Sequence, residues 1–464
     1  MKELRRNMRL VGALIVIAFI TLSAWFAFTV FEQGSLWASS SRNTRLGRSS
    51  AQRGDILDRK DMVLATVRDG RRAYLENEQA RRALAATVGD TRGMSGTGVE
   101  GYYSAQLLDI SDSLTERLSA LFNDRARTGN TVALTVDARL TAAIAAGFPE
   151  GYRGAVCVLN WRTGEVLAMV SLPTYDPYEA GSDLVEDTAY LNRCLQGQYT
   201  PGSVFKIVML ASALEHDPAV VSQRFSCSGE WQYEGSSIVC AGHTAHGSVD
   251  LRYAFSRSCN VTFGKLAYQL GLDRLRETAE VLGFNENFKL GDFALYSSQY
   301  PRSISAMSEL VWSGIGQSTV LVTPMHMAMI TSSVANGGVM IRPWLVRQIT
   351  TPGGAVTYTG GTKAGRTVMR PETAAVIADC MQTAVESGTA TRGRISGYAV
   401  CGKTGSAETS DDKTVETDSW YTGFIRDSRH PYAVAAVVEK GGAGARLATQ
   451  LGTQALKSAL QLVG

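Results

Sequence analysis

The feature that most constrains this chain is a run from Leu10 to Phe31 that contains no charged residue. A helix over this run would be about 33 Å long, which is enough to cross the apolar core of a bilayer. A cleaved signal peptide is the alternative, but its apolar segment is usually only about 7–15 residues long. We therefore expect a retained, single-pass transmembrane helix over 10–31 and a short basic cytoplasmic tail over 1–9. The rest of the chain should lie outside the cell membrane.

The composition of the chain is that of an ordinary globular protein. Of its 464 residues, 45% are hydrophobic and 19% are charged, which excludes collagen, a coiled coil and wholesale disorder. This length predicts two or three domains. The net charge is only +3 and no long basic stripe is present, so nucleic acid is not an expected partner.

The outer part of the chain divides into two predicted units. A Ser- and Arg-rich linker over 38–50 leads into a pedestal of short strands and helical stretches, including Ile110–Phe122, and we place this membrane-proximal domain at 32–150. The second domain covers 151–464 and has a mixed α/β pattern, with strands near both ends and helices between them. Its predicted strands cover 155–159, 165–170, 398–403, 420–426 and 432–439, and a closing helix covers 447–462.

The first candidate chemical motif is Ser203-x-x-Lys206, which opens an apolar segment. Pro201 and Gly202 indicate a helix start, so Ser203 falls in the first turn and Lys206 lies on the same face. Burial lowers the pKa of a lysine and makes a neutral amine available, which is what a base serving a serine nucleophile needs. The alternative is a capping serine followed by a chance lysine.

Two further motifs are individually weak. Ser258-Cys259-Asn260 precedes an apolar helix and could be no more than a capping turn. Lys403-Thr404-Gly405 lies on a late strand, where a glycine indicates that another group approaches the backbone closely. The lysine charge and the threonine hydroxyl would suit a substrate carboxylate.

Taken in order, these three motifs resemble the active-site set of penicillin-binding proteins and serine β-lactamases. Arg53–Arg59 (RGDILDR) also looks like the R-G-x-I-x-D-R signature of class B, monofunctional penicillin-binding proteins. Three further segments are similar to the same family: Leu134–Asp137, Gly316–Pro324 and Trp420–Phe424. The resemblance implies a transpeptidase domain with an antiparallel sheet flanked by helices. It also implies a peptidoglycan D,D-transpeptidase that works through a serine acyl-enzyme.

The resemblance assigns a role to each motif residue. Ser203 attacks the carbonyl between the two terminal D-alanines of a stem peptide, and Lys206 takes its proton. Ser258 relays a proton to the departing D-alanine, while Asn260 orients Lys206 and the substrate. The substrate carboxylate is held by the late strand, through Lys403, Thr404, Gly405 and Ser406. No metal, nucleotide or other cofactor is implied.

The same resemblance predicts the partners. They are peptidoglycan stem peptides and nascent glycan strands, β-lactam antibiotics that acylate Ser203, and a polytopic SEDS-type glycosyltransferase in the membrane. The alternatives within the same chemistry are a D,D-carboxypeptidase and a β-lactamase. The alternative from another class is a membrane-anchored scaffold or β-lactam sensor.

A group of cysteines and histidines leaves a second question open. Cys227, Cys240, His243 and His246 superficially suit zinc, but their spacing departs from the usual pair of closely spaced cysteines. A disulfide between Cys227 and Cys240 suits an exported domain better and is the favoured expectation, although the sequence does not decide whether the pair forms. The remaining cysteines, including Cys259, are expected to be small core residues. The other histidines, including His326, are expected to be structural.

Overall fold

The computed structural model describes residues 2–39, 52–108, 128–288, 291–408 and 416–463. The predicted helical stretch Ile110–Phe122 and most of the linker over 38–50 lie outside these described ranges.

The N-terminal helix α1 (Lys2–Ser39) contains the predicted apolar run. Its segment Arg6–Phe26 has a mean hydropathy of 2.1, and it is the only helix in the described ranges long and apolar enough to cross a membrane. Large apolar side chains such as Leu14 and Phe19 are exposed on its surface. These properties agree with a membrane anchor, because such side chains need an apolar surrounding.

The rest of the described chain contains 17 strands and a series of further helices. The strands are β1 (Ile56–Leu57), β2 (Val63–Arg68), β3 (Arg71–Tyr74), β4 (Thr131–Leu134), β5 (Arg153–Asn160), β6 (Val166–Leu172), β7 (Arg224–Cys227), β8 (Glu230–Tyr233), β9 (Ser236–Val239), β10 (Gly247–Asp250), β11 (Val339–Met340), β12 (Val346–Thr350), β13 (Val356–Thr359), β14 (Arg366–Thr367), β15 (Val400–Ala407), β16 (Asp418–Ile425) and β17 (Tyr432–Glu439). The helices are α2 (Glu78–Ala83), α3 (Ala85–Val88), α4 (Val99–Tyr102), α5 (Ser104–Leu107), α6 (Ala138–Ala145), α7 (Lys206–His216), α8 (Leu251–Ser256), α9 (Asn260–Val281), α10 (Met307–Ser313), α11 (Pro324–Ala335), α12 (Pro371–Ser387) and α13 (Leu447–Leu462).

A five-stranded antiparallel sheet forms the centre of the C-terminal part, in the order β15-β16-β17-β5-β6. All five strands and helix α13 were predicted from the sequence to within a few residues. The side chains alternate between two buried faces, as the period of a strand requires. Val434 packs with Leu451 of α13 on one face, while Ala435 joins the core that contains Ile330 of α11 on the other. The sheet is therefore flanked by helices, as expected.

A second sheet of six strands has the order β13-β12-β4-β1-β2-β3. Its strands β1 and β4 are parallel, and β12 pairs with β4 along Val346–Thr350. Strands β12 and β13 come from far beyond residue 150. The division of the chain at residue 150 stays a prediction, but the two sheets do not separate strictly at that point.

The RGDILDR segment supports the second sheet rather than the chemistry. Arg53 and Arg72 both pair with the buried carboxylate of Glu100, and the distance from Arg53 Nη1 to Glu100 Oε2 is 3.0 Å. Asp58 accepts hydrogen bonds from the backbone N–H of Lys60 at 2.7 Å and of Ala138, the first residue of α6, at 3.2 Å. These charged side chains therefore tie the RGDILDR segment to Glu100 and to the start of α6.

The Glu100→Gln variant should lose stability, because it leaves two arginines beside a buried group that no longer carries charge. Breaking a buried ion pair typically costs about 3 kcal/mol, so we expect a decrease of that size in the free energy of unfolding, measured by urea denaturation in detergent. The matched control is Glu76→Gln, which removes an exposed pair with Arg68 and should leave stability nearly unchanged. Equal stability of the two variants would contradict this account.

Candidate active site

Ser203 lies in a tight turn that is held from two sides. The 3₁₀ turn Gly202–Phe205 leads directly into helix α7, so Ser203 and Lys206 are one turn apart. Gly202 has φ +54°, and a Cβ there would lie 2.5 Å from the carbonyl oxygen of Ser406. Its N–H donates to the carbonyl of Gly316 at 2.8 Å, so the Gly316 segment backs the turn.

Lys206 is fully buried and contacts Ser203, Ser258 and Asn260. Its Nζ lies 3.1 Å from the Oγ of Ser203 and 3.1 Å from the Oγ of Ser258. It also donates to the carbonyl of Ser258 at 2.8 Å and to Oδ1 of Asn260 at 2.7 Å. These contacts exclude the alternative in which Ser203 only caps the helix and Lys206 follows it by chance.

The loop before α9 turns two side chains toward Lys206. Ser258 has φ +56°, a conformation that costs non-glycine residues roughly 1–3 kcal/mol. The loop is held by the N–H of Cys259, which donates to the carbonyl of Ala254 at 2.8 Å. The amide group of Asn260 donates through Nδ2 to the carbonyl of Val239 at 2.8 Å, which leaves Oδ1 facing the lysine.

Lys403 contacts Ser258 as well. Its Nζ donates to the Oγ of Ser258 at 3.0 Å and to the carbonyl of Thr404 at 2.8 Å, and the side chain is fully buried. Two amines therefore share one serine hydroxyl, in a position the sequence did not specify. The resemblance includes Lys403 among five catalytic residues, with Ser203, Lys206, Ser258 and Asn260, but it gives this lysine a role only at the substrate carboxylate.

Burial makes a neutral amine available at this site. It lowers the pKa of Lys206 to about 7, although the nearby thiols of Cys259 and Cys240 act in the opposite direction. Burial and the positive charge of Lys206 hold the pKa of Lys403 well below its usual range. Charging both amines is therefore unfavourable, and one of them can accept a proton near neutral pH.

A cleft of about 620 Å³ opens over these residues. Its lining includes the candidate nucleophile Ser203 together with Ser258 and Asn260 of the second motif. The edge strand β15 lines it at Thr404, Gly405 and Ser406. The five predicted catalytic residues and the three predicted binding residues thus lie around one cleft, with the two lysines beneath its surface.

Thr389 is one of several residues of this cleft that the sequence did not single out. Its Oγ1 lies 2.9 Å from the Oγ1 of Thr404. Only the Ser387-Gly388-Thr389 tripeptide after a long helix could have indicated it, and such a tripeptide is also common in ordinary helix ends. His326, by contrast, is structural as expected: it is buried and contacts Ser298 and the carbonyl of Leu282.

The expected disulfide is absent from the structure. Cys227 and Cys240 are free thiols whose sulfur atoms are 3.7 Å apart, well beyond the S–S bond length of about 2.05 Å. Cys259, expected to be a core residue, lies 3.7 Å from Cys240.

The fold and the site together define the class of active-site serine enzymes in which a lysine lies one helical turn after the serine. Residues 154–457 match the model of the penicillin-binding protein transpeptidase domain. The chain belongs to the penicillin-binding protein transpeptidase family.

Relatives extend over nearly the whole chain. The chain is 30% identical to the peptidoglycan D,D-transpeptidase PbpA of Mycolicibacterium smegmatis, over 98% of this chain and 99% of that one. It is 29% identical to PbpA of Mycobacterium tuberculosis H37Rv, over 99% of both. The solved ceftriaxone acyl-enzyme of M. tuberculosis penicillin-binding protein A has a TM-score of 0.80 and 28% identity, covering 90% of this chain and 100% of that one. These matches confirm the prediction of a serine-type D,D-transpeptidase in cell-wall synthesis.

The rate at which penicillin G acylates the protein should depend on the protonation of Lys206. Below its pKa of about 7 the amine is protonated and cannot accept a proton, so the second-order rate constant should fall about tenfold per pH unit and level off above pH 7. The measurement is a series of acylation rates across this range with labelled penicillin G. The control Lys457→Ala, at an exposed site, should keep the same dependence of the acylation rate on pH. An acylation rate that does not change with pH in the unmodified protein would refute Lys206 as the proton acceptor.

Proposed function

We propose that Ser203 is the nucleophile of the D,D-transpeptidase and that Lys206 is its general base. The main observation in support of this proposal is the distance of 3.1 Å between Lys206 Nζ and Ser203 Oγ, in a site where burial favours the neutral amine. Lys206 accepts the hydroxyl proton while Ser203 attacks the carbonyl between the two terminal D-alanines of a stem peptide. Asn260 holds the amine in line through its Oδ1.

Ser258 is the proposed relay to the leaving group. Its hydroxyl lies 3.1 Å from Lys206 Nζ and 3.0 Å from Lys403 Nζ, so it joins the two amines. A proton taken by Lys206 passes through this hydroxyl to the amine of the departing D-alanine. Lys403 supports the transfer, because its charge state is coupled to that of Lys206.

The substrate is proposed to bind along β15, which is the edge strand of its sheet. An extended stem peptide can pair with such an edge through its backbone. Thr404, Gly405 and Ser406 then hold the terminal carboxylate, with Thr389 fixing the hydroxyl of Thr404. The backbone N–H groups of Ser203 and Ser406 form the oxyanion hole, each contributing about 3 kcal/mol to lowering the barrier.

The acyl-enzyme is resolved by an amine of a neighbouring stem peptide, which completes the cross-link in the nascent wall. β-Lactams imitate the donor peptide and remain attached to Ser203. The solved relatives include acyl-enzyme complexes with ceftriaxone and with penicillin G, which supports this proposal for the present chain. Release of free acid instead of a cross-linked dimer from paired stem peptides would favour the carboxypeptidase alternative.

Labelled penicillin should attach to Ser203 and nowhere else. We expect peptide mass spectrometry of the full chain to locate a slowly released adduct there. Ser203→Ala should lose at least about a thousandfold in labelling rate, because it removes the hydroxyl that forms the covalent bond to the penicillin. Ser222→Ala, a change at an exposed serine, is the matched control and should label normally. Undiminished labelling of Ser203→Ala would refute the assignment of the nucleophile.

We propose that α1 crosses the cell membrane once, with residues 1–9 in the cytoplasm and the catalytic part outside. The exposed apolar segment Arg6–Phe26 and the extracellular location of peptidoglycan support this orientation.

We also propose that α1 and the membrane-proximal part contact a SEDS-type glycosyltransferase. Large apolar side chains such as Phe19 cover the surface of α1, and the resemblance to class B proteins suggests a polytopic partner for them. The cross-linking enzyme would then act where new glycan strands appear.

One experiment tests both the orientation and the partner. A photoreactive benzoylphenylalanine in place of Phe19 should cross-link the full chain to the glycosyltransferase in growing cells, because Phe19 lies within the bilayer. Protease added to spheroplasts should then remove the catalytic part and leave the cross-linked helix. The same probe at Lys457 should give no such product. If the catalytic part resists the protease, the proposed orientation is wrong. If the helix resists the protease but the probe at Phe19 gives no cross-link, the proposed contact with the glycosyltransferase is wrong.

A further inference from the structure

Four potential metal ligands converge beside the catalytic loop. The sulfur atoms of Cys227, Cys240 and Cys259 and a ring nitrogen of His246 all lie within 4.8 Å of one another. The sequence analysis considered His243 in this group, but the structure brings Cys259 there in its place. We propose that these four side chains bind one zinc ion, which departs from the expectation that the chain holds no metal.

The separations match the edges of a zinc tetrahedron. With Zn–S bonds of about 2.3 Å, two thiolates on one zinc lie about 3.8 Å apart, and a thiolate and an imidazole nitrogen about 3.6 Å. The observed distances are 3.7 Å from Cys227 to Cys240, 3.7 Å from Cys240 to Cys259, and 3.4 Å from Cys227 to Nδ1 of His246. These three separations match the edges of a zinc tetrahedron, and the other three are at most 4.8 Å, so small side-chain adjustments would bring all four atoms onto one ion.

The fold assembles the four ligands from separate elements. Cys227 ends β7, Cys240 follows β9, His246 precedes β10, and Cys259 caps the N-terminus of α9. Pairing of β7 with β10 sets Cys227 opposite Gly247, and the N–H of His246 donates to the carbonyl of Cys227 at 3.1 Å. Backbone hydrogen bonds thus bring Cys227 and His246 together.

The surroundings suit thiolates rather than apolar thiols. The sulfur of Cys259 accepts hydrogen bonds from the backbone N–H of Thr262 at 3.4 Å and from its hydroxyl at 3.2 Å. Such outer contacts orient metal ligands and increase their affinity. The three cysteines are buried, while His246 is half-buried at the cleft wall. An ion at this position would be shielded from water on most sides.

A disulfide accounts for less of this arrangement. Cys240 is equally distant from Cys227 and Cys259, so the distances favour neither pair for a disulfide. Either disulfide would also leave the third thiol and the imidazole of His246 next to it without a role. Three soft sulfur ligands also exclude calcium and magnesium, which prefer oxygen. Closed sites with three cysteines and one histidine are typical of structural zinc.

The ion would hold the catalytic loop in place. Cys259 lies between Ser258 and Asn260, and Cys240 follows Val239, whose carbonyl fixes the amide of Asn260. Zinc bound at these cysteines would therefore restrain both the strained turn at Ser258 and the acceptor of Asn260. Cys259 is thus a positioning residue, because it acts on the reaction through its two neighbours.

The test is the metal content of the full-length protein purified in detergent and handled without chelators. We expect one zinc per chain by mass spectrometry of the metals, and exchange with cobalt(II) should produce thiolate-to-cobalt charge-transfer bands. His246→Ala should lose at least about tenfold in zinc affinity. The matched control is His243→Ala, which changes an exposed histidine of the same loop and should retain zinc.

A second measurement follows the catalytic loop. Removing zinc with a chelator should lower the thermal midpoint and slow penicillin acylation about tenfold, and added zinc should restore both. Zinc should restore neither in Cys240→Ser, and if that variant does not fold, the cobalt spectrum of the unmodified protein still decides.

Three results would overturn the proposal. These are an intact mass lower by two hydrogens with no bound metal, equal zinc retention by His246→Ala and His243→Ala, and stoichiometric iron or copper instead of zinc. None of them depends on transpeptidase activity, so the proposed function would stand or fall separately.

Discussion

Two lysine amines buried around one serine hydroxyl are the constraint on which the site depends. Lys206 and Lys403 are both fully buried, and their Nζ atoms lie 3.1 Å and 3.0 Å from the Oγ of Ser258. Their charges repel and neither is well solvated, so the neutral form of an amine becomes accessible near neutral pH. The proposed reactivity of Ser203 depends on this electrostatic arrangement, because a neutral amine beside the hydroxyl can accept its proton.

Much of the fold serves to bring these side chains together from distant parts of the chain. Helix α7 supplies Lys206, the loop before α9 supplies Ser258, and the edge strand β15 supplies Lys403. The turn at Gly202 lies so close to the backbone of Ser406 that a β-carbon would not fit between them. This contact fixes the helix and the strand relative to each other, and the cleft lies between them.

The same loop connects the catalytic group to the cluster of thiols. Cys259 is flanked by Ser258 and Asn260, so whatever occupies the cluster also affects the geometry of the reaction. The proposed zinc ion would in this way add rigidity to the loop without taking part in the reaction itself. The strained φ angle at Ser258 makes such external support physically reasonable, because strain persists only where the surroundings hold it.

The sequence alone determined the long apolar helix, the central strands and the family, and it named eight residues that the structure brings to one cleft. Apolar runs and strand periods are local properties, and the three short motifs identify a family by their order. The sequence did not determine that Lys403 lies on Ser258, that Thr389 joins Thr404, or that β12 and β13 complete the sheet of β4. It also predicted a disulfide between Cys227 and Cys240 where the structure has three separate thiols. Only the tertiary structure decided these points, because each depends on distances between segments that are far apart in the chain and is invisible to any local pattern.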